Sequence, residues 1–142
     1  MARPSDFTEQ LGADICQQLV EGLSLRAICR KDEMPAISTV MLWLTKHAEF
    51  SAQYAHAREA QADTFADEII DIADDGSGDW ITDSDGNRRV DQDCIARSRL
   101  RVDTRKWIAS KLKSKKYGDK VENTHVGDKE RPIVLTPVDA SL

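Results

Sequence analysis

Residues 48–75 read AEFSAQYAHAREAQADTFADEIIDIADD, and this stretch decides the fold. Phe50, Tyr54, Ala57, Gln61, Phe65, Ile69 and Ile72 step by three or four residues, the spacing of one helix face sustained for about six turns. No glycine or proline interrupts it before Gly76. A helix this long with one modest apolar stripe exceeds what a small neighbouring unit can cover, so the pattern predicts a partner helix.

Upstream lie three shorter periodic segments. Thr8 is a candidate N-cap for a helix carrying Leu11, Ile15, Leu19 and Val20, which Gly22 ends. Ser24 starts a short second helix with Leu25, Ile28 and Cys29 on one face, closed by Pro35. Ser38 starts a third, in which Val40, Trp43 and Leu44 share a side. A supporting helix followed by two short ones around a tight connection is the helix-turn-helix arrangement. A plain three-helix core with no ligand has the same periodicity.

Downstream of the long helix the pattern breaks. Gly76, Gly78 and Gly86 punctuate residues 74–93, and Trp80-Ile81-Thr82 and Arg88-Arg89-Val90 flank a turn-forming run, as in a small β-hairpin. A second long helix is expected over residues 92–113. Its apolar residues Ile95, Leu100, Val102, Trp107, Ile108 and Leu112 fall on at least two faces, so it needs a second surface beside its hairpin partner, such as another copy of the chain. Near the end, Pro132-Ile133-Val134-Leu135-Thr136-Pro137-Val138 is β-prone. One strand alone has nothing to pair with in a helical monomer, so it reads either as a loose tail or as a strand shared between copies.

Charge is segregated along the 142 residues. Residues 1–47 carry −1, residues 48–96 carry −10, residues 97–120 carry +8 and the remainder −2, for a net −5. The basic segment, with Arg97, Arg99, Arg101 and Arg105, shares a hairpin with acidic Glu68, Asp71 and Asp74, so pairing within or between copies is expected before contact with nucleic acid. Lys113 to Lys120 is left open as a secondary contact.

The sequence carries no catalytic signature. There is no phosphate loop, no HExxH and no Ser/His/Asp pattern; His47, His56 and His125 are dispersed. Cys16, Cys29 and Cys94 are odd in number and far apart, which supports neither a disulfide framework nor zinc. Asp83, Asp85, Asn87 and Asp91 imitate the opening of a calcium loop, but Arg88 stands where glycine is required and Cys94 where glutamate is. The expectation is a non-enzyme with no metal and no cofactor. No apolar run approaches the ~20 residues of a membrane span and residues 1–6 lack a signal-peptide core, so a cytosolic protein without membrane contact is expected.

The blocks Ala2-Arg3-Pro4-Ser5-Asp6, Ile15-Cys16, Met34-Pro35 with Ser38-Thr39-Val40 and Trp43-Leu44, and Lys46-His47 with Phe50 and Tyr54-Ala55 resemble the small terminase subunits of tailed double-stranded DNA bacteriophages. So do Arg99-Leu100-Arg101-Val102-Asp103-Thr104-Arg105-Lys106-Trp107 and Lys116-Tyr117-Gly118-Asp119-Lys120, the most specific pieces. The branch from short-tailed phages is the nearest. Residues 74–93 and the tail carry no family signature.

The resemblance implies a mainly α fold: a helix-turn-helix over 1–47, a long antiparallel helical hairpin over 48–116 forming an oligomer hub, and a 117–142 segment whose short strand joins an intersubunit barrel. It implies a ring that binds the packaging-initiation site on double-stranded viral DNA and recruits and regulates a large ATPase/nuclease subunit. That places it in the host cell cytoplasm and outside the mature virion. A dimeric helix-turn-helix transcriptional regulator is the alternative; it leaves the divided hairpin and the terminal β run unexplained.

Candidate residues follow. Ser38, Thr39, Leu42, Thr45 and Lys46 face away from the third helix's core side, Arg26, Arg30 and Lys31 flank its start, and Arg3 reaches DNA from a flexible arm. No outward Arg, Asn or Gln set for base edges is evident. Assembly is assigned to Phe50, Tyr54, Phe65, Ile69, Ile72, Ile95, Leu100, Val102 and Trp107, with Ile133, Val134 and Leu135 in the tail.

Overall fold

The computed structural model describes residues 2–119. Six helices and one small sheet follow the order α1 (Glu9–Val20), α2 (Leu25–Cys29), α3 (Ile37–Lys46), α4 (Ala48–Asp74), β1 (Trp80–Thr82), β2 (Arg88–Val90), α5 (Gln92–Leu112) and α6 (Ser114–Tyr117). The Ile133-Val134-Leu135 strand lies outside the described residues.

Local chemistry sets the boundaries. Thr8 accepts from the Leu11 amide at 3.1 Å and Ser24 from the Ala27 amide at 3.1 Å, each satisfying an amide that its helix leaves unpaired. Gly22 ends α1 at φ +103°, and its amide and that of Leu23 donate back to Leu19 and Gln18 carbonyls. A β-carbon at Gly22 would lie 2.9 Å from Glu68 Oε1, so a larger residue there would have to displace the end of that side chain. Asp91 caps α5 by accepting from Cys94 N at 3.1 Å.

α4 joins two cores. The first gathers Ile15, Leu19, Leu25, Ile28, Met34, Val40 and Trp43 from the N-terminal unit with Phe50 and Ala57 of α4. Phe7 closes its edge, stacked on His47 with ring centroids 4.1 Å apart and edge-on to Trp43 at 5.3 Å. The second gathers Ala62, Phe65 and Ala109, with Ile108, Leu112 and Tyr117 packed against them. Glu68 pairs with Arg105 at 2.6 Å and Asp63 with Lys113 at 3.0 Å, in opposite order along the two helices, so α4 and α5 form an antiparallel hairpin.

Between the cores, α4 is pinned to the end of α1. Gln61, 1% exposed, donates to the Leu23 carbonyl at 2.8 Å and accepts from Arg58 at 3.0 Å. Thr64 donates to the Val20 carbonyl at 2.6 Å. The Val20 carbonyl is one that the C-terminus of α1 leaves without an intrahelical partner, and Leu23 lies in the turn just beyond it.

This arrangement corrects part of the assembly surface expected from the sequence. Phe50 is buried in the first core and Tyr54 packs against it; Phe65 and Ile72 are buried in the hairpin. The N-terminal unit covers more of the stripe than its size suggests, because α1 and α3 both pack along the first turns of α4.

The hairpin between α4 and α5 has the predicted strands, antiparallel in the register Trp80↔Val90, Ile81↔Arg89 and Thr82↔Arg88. Asp83 organises its turn by accepting from the Asp85 and Asn87 amides at 3.0 and 2.8 Å. α6 folds back onto α4, where Asp63 receives Tyr117 Oη at 2.6 Å, Lys116 Nζ at 2.9 Å and Lys113 Nζ at 3.0 Å. These donors hold the Asp63 carboxyl well below the usual carboxylate range, Tyr117 contributing most.

Candidate nucleic-acid interface

Burial of Leu25, Ile28 and Cys29 on one face of α2 turns Arg26 and Arg30 outward. The connection then tightens through Lys31 N to Ile28 O and Met34 N to Lys31 O, and buries Met34 and Pro35. α3 therefore begins at Ile37 with Ala36 as its N-cap, and no side chain satisfies its first amides. That differs from the expected start at Ser38 and matters more than a boundary shift. An uncapped helix start presents free N–H groups and the positive end of the helix dipole.

Around that start, Arg3, Arg26, Arg30 and Ser38, with Cys29, Ala36 and Ile37, line an open groove of about 480 Å³. Arg3 is anchored there: its Nη1 donates to the Cys29 carbonyl at 2.6 Å. The leading segment is thus tied to the end of α2 at this residue, where a free arm had been expected. Burial pushes the Cys29 thiol up from its ordinary value, and the nearby Arg3 charge acts against that rise. Three guanidiniums lining a groove at an uncapped helix start combine positive charge with free amide donors, a setting that favours an anion.

Other sequence candidates stand apart from this cluster. Lys31 is drawn onto α1 by a hydrogen bond to Gln18 Oε1. Thr39 is half-buried, and the Thr45 hydroxyl donates to its own helix at Leu42 O, 2.7 Å away. Lys46 sits at the opposite end of α3, in a separate groove with Glu9, Gln10, His47 and Glu49. One outward residue was missed: Met41, 46% exposed beside Leu42 at 49%. Helical spacing placed it there, three residues after Ser38 and four before Thr45.

The hairpin supplies a second surface. Of the 21 residues of α5, only Ala109 is buried, while Leu100 and Trp107 are 55% and 64% exposed. Val102 and Ile69 are half-buried, and Ile95 lies at the margin of exposure. Ile70 of α4, absent from the sequence candidates, is 60% exposed. Of the arginines expected to meet the acidic segment, Arg105 alone makes an ion pair among the described residues; Arg97, Arg99 and Arg101 point to solvent. No helix among the described residues is long and apolar enough to cross a membrane, and no cluster of metal-ligating side chains occurs among them.

Fold and surfaces together define a class: a helix-turn-helix unit carried on a long helical hairpin whose outer face is uncovered among the described residues. Residues 7–124 match the family described as bacteriophage Sf6, terminase small subunit-like. The chain belongs to this family, the small subunits of terminases, which serve genome packaging in bacteriophages. Crystal structures of three point variants of terminase small subunit gp1 from the bacterial virus Sf6 are each 41% identical to the chain, covering 94% of it and 95% of theirs, with a TM-score of 0.67. Comparison with curated protein sequences finds no match.

Proposed function

We propose that the chain is the non-catalytic DNA-recognition subunit of a genome-packaging terminase. Copies form a ring that binds the packaging-initiation site on viral DNA and recruits and regulates the large ATPase/nuclease subunit. The observation that carries DNA recognition is the trio Arg3, Arg26 and Arg30 around the uncapped start of α3. Assembly rests on α5, whose outer face has no cover among the described residues. On this reading the protein acts in the host cytoplasm and is left out of the finished virion.

A single patch of three arginines on a chain of net charge −5 binds DNA weakly, in the non-specific range of about 10⁻⁴–10⁻⁶ M at physiological salt. Several copies engaged at once raise this by about 10²–10⁴-fold where the DNA path meets them together. Phosphate contacts of this kind fix position and carry little sequence information.

The experiment is native mass measurement of the full chain with co-purification against a large terminase subunit, plus DNA titrations at several salt concentrations. A closed ring of many copies that retains the ATPase/nuclease supports the reading; a dimer that retains none favours the transcriptional regulator. Arg26→Ala and Arg30→Ala should each lower the slope of log affinity against log salt by about 0.9 for every copy engaged. Unchanged slopes would remove these residues from the DNA contact.

A further inference from the structure

We infer that α3 reads thymine, through the side chains of Met41 and Leu42 against the C5-methyl group in the major groove. The inference rests on the DNA-binding reading above and concerns what happens beyond the phosphate contacts. Ser38, Met41, Leu42 and Thr45 recur at three- and four-residue spacing and form one outward face of α3, opposite buried Val40 and Trp43. Two large apolar side chains, each about half exposed, thus lie along a ten-residue helix whose first turn is ringed by arginines.

The chemistry of this face restricts what it can read. It holds no guanidinium or amide to bridge the paired acceptors of guanine or the acceptor–donor pair of adenine. The Thr45 hydroxyl proton is spent on the Leu42 carbonyl, so that side chain contributes a methyl and an acceptor. Ser38 stands at the junction, lining the arginine groove while opening the outward face. A phosphate held in that groove sets the start of α3 against the backbone and turns Met41 and Leu42 toward the base edges. Among major-groove groups, only the thymine methyl is apolar. Arg26 and Arg30 from α2 and its end, with Arg3 from the leading segment, gather at the start of α3 and make DNA the occupant that charge complementarity selects for this face, over a second copy of the chain.

The test compares the full chain on two duplex probes at low salt: alternating adenine–thymine, and the same duplex with deoxyuridine replacing thymidine. Base pairing is retained and only the methyl is lost. The thymine duplex should bind more tightly by about four-fold for each methyl covered. Met41→Ala and Leu42→Ala should bring that ratio toward one while leaving affinity for the uracil duplex and the salt slope unchanged. Both side chains are exposed, so the variants keep the fold.

Equal affinities for the two duplexes in the parent chain would overturn the inference and leave the DNA reading standing. So would a thymine preference that survives both substitutions, since it would then come from duplex shape. Loss of assembly in the variants with the thymine preference intact would assign the patch to a neighbouring copy. Binding to neither duplex would remove the DNA reading itself, and this inference with it.

Discussion

Gln61→Leu should cost the N-terminal unit about 1–3 kcal/mol. The side chain is 1% exposed and engaged at both ends: its Nε2 donates to Leu23 O at 2.8 Å and its Oε1 accepts from Arg58 at 3.0 Å. Leucine matches the volume closely, so no cavity term enters. What it removes is the donor to the part-buried Leu23 carbonyl, and an acceptor left unpaired away from water costs about 1–3 kcal/mol. Arg58 is half-exposed and lies 5.6 Å from the Tyr54 ring centroid, so water and the ring can replace the bond it loses. The assay is urea unfolding followed by tryptophan fluorescence, with Trp80 and Trp107 replaced by Phe so that buried Trp43 reports alone. With a slope of about 1–3 kcal/mol per molar urea, the midpoint should fall by about 1 M. A loss under about 0.5 kcal/mol would refute the claim that this amide fastens α1 and α2 to α4.

Gly22→Ala should destabilise the same unit by about 1–2 kcal/mol, since φ is +103° there and the added carbon meets Glu68; an unchanged urea midpoint would be the wrong result. Leu100→Asp with Trp107→Asp should reduce assembly in light scattering while helicity is kept, because both side chains are mostly outside the chain's own packing; full assembly would show that another face is used. The α6 clamp should be insensitive to pH across a wide window. Asp63 is depressed below 3.8, so its contribution is present above that value and fades only as pH falls further. Lys116 is raised above 10.5, so its contribution is present below that and is lost as pH rises past it. Carboxyl chemical shifts of Asp63, followed by NMR with Tyr117→Phe as the partner variant, should show titration moving toward the ordinary value when the phenol is removed.

Much of this architecture was legible in the sequence because local rules agreed with the global fold. Thr8, Ser24 and Gly22 mark helix ends through hydrogen bonds and backbone freedom that belong to the residues themselves. The strands at 80–82 and 88–90 announced themselves through the turn between them. Periodicity also found the inward face of α4, but a period cannot say what covers a face. Phe50 and Tyr54 therefore read as intersubunit residues although α1 and α3 cover them. The arginine groove had the same limit: Arg26, Arg30 and Ser38 were identified singly, but their meeting with a tethered Arg3 depends on how the turn at 30–36 folds. Met41 was overlooked because an apolar residue on a short helix is ordinarily assigned to the core.

The distribution of charge around the exposed apolar side chains bears on the shape of the proposed assembly. On α5, Leu100 is flanked by Arg97 three residues earlier, and Trp107 by Lys111 four residues later, with Lys111 Nζ 5.6 Å from the indole centroid. On α4, Ile70 is flanked in the same way by Asp67 and Asp74. Asp103 sits between Leu100 and Trp107 on α5, so that face is basic at its two ends with one carboxylate at its middle, while the Ile70 face of α4 is flanked by acid alone. A two-fold contact through α5 would set the basic Arg97 and Lys111 of one copy against the basic residues of the other. A contact of α5 on the α4 of the next copy matches apolar to apolar and opposite charges at the rim. Such a head-to-tail contact uses two different faces per copy, and closes into a ring when the rotation allows. Arg97→Glu with Lys111→Glu should therefore weaken assembly, and adding Asp67→Lys with Asp74→Lys should restore it, read as native mass at fixed concentration. If the first pair of reversals strengthens association, like charges were being relieved, the contact is two-fold, and the head-to-tail arrangement is wrong.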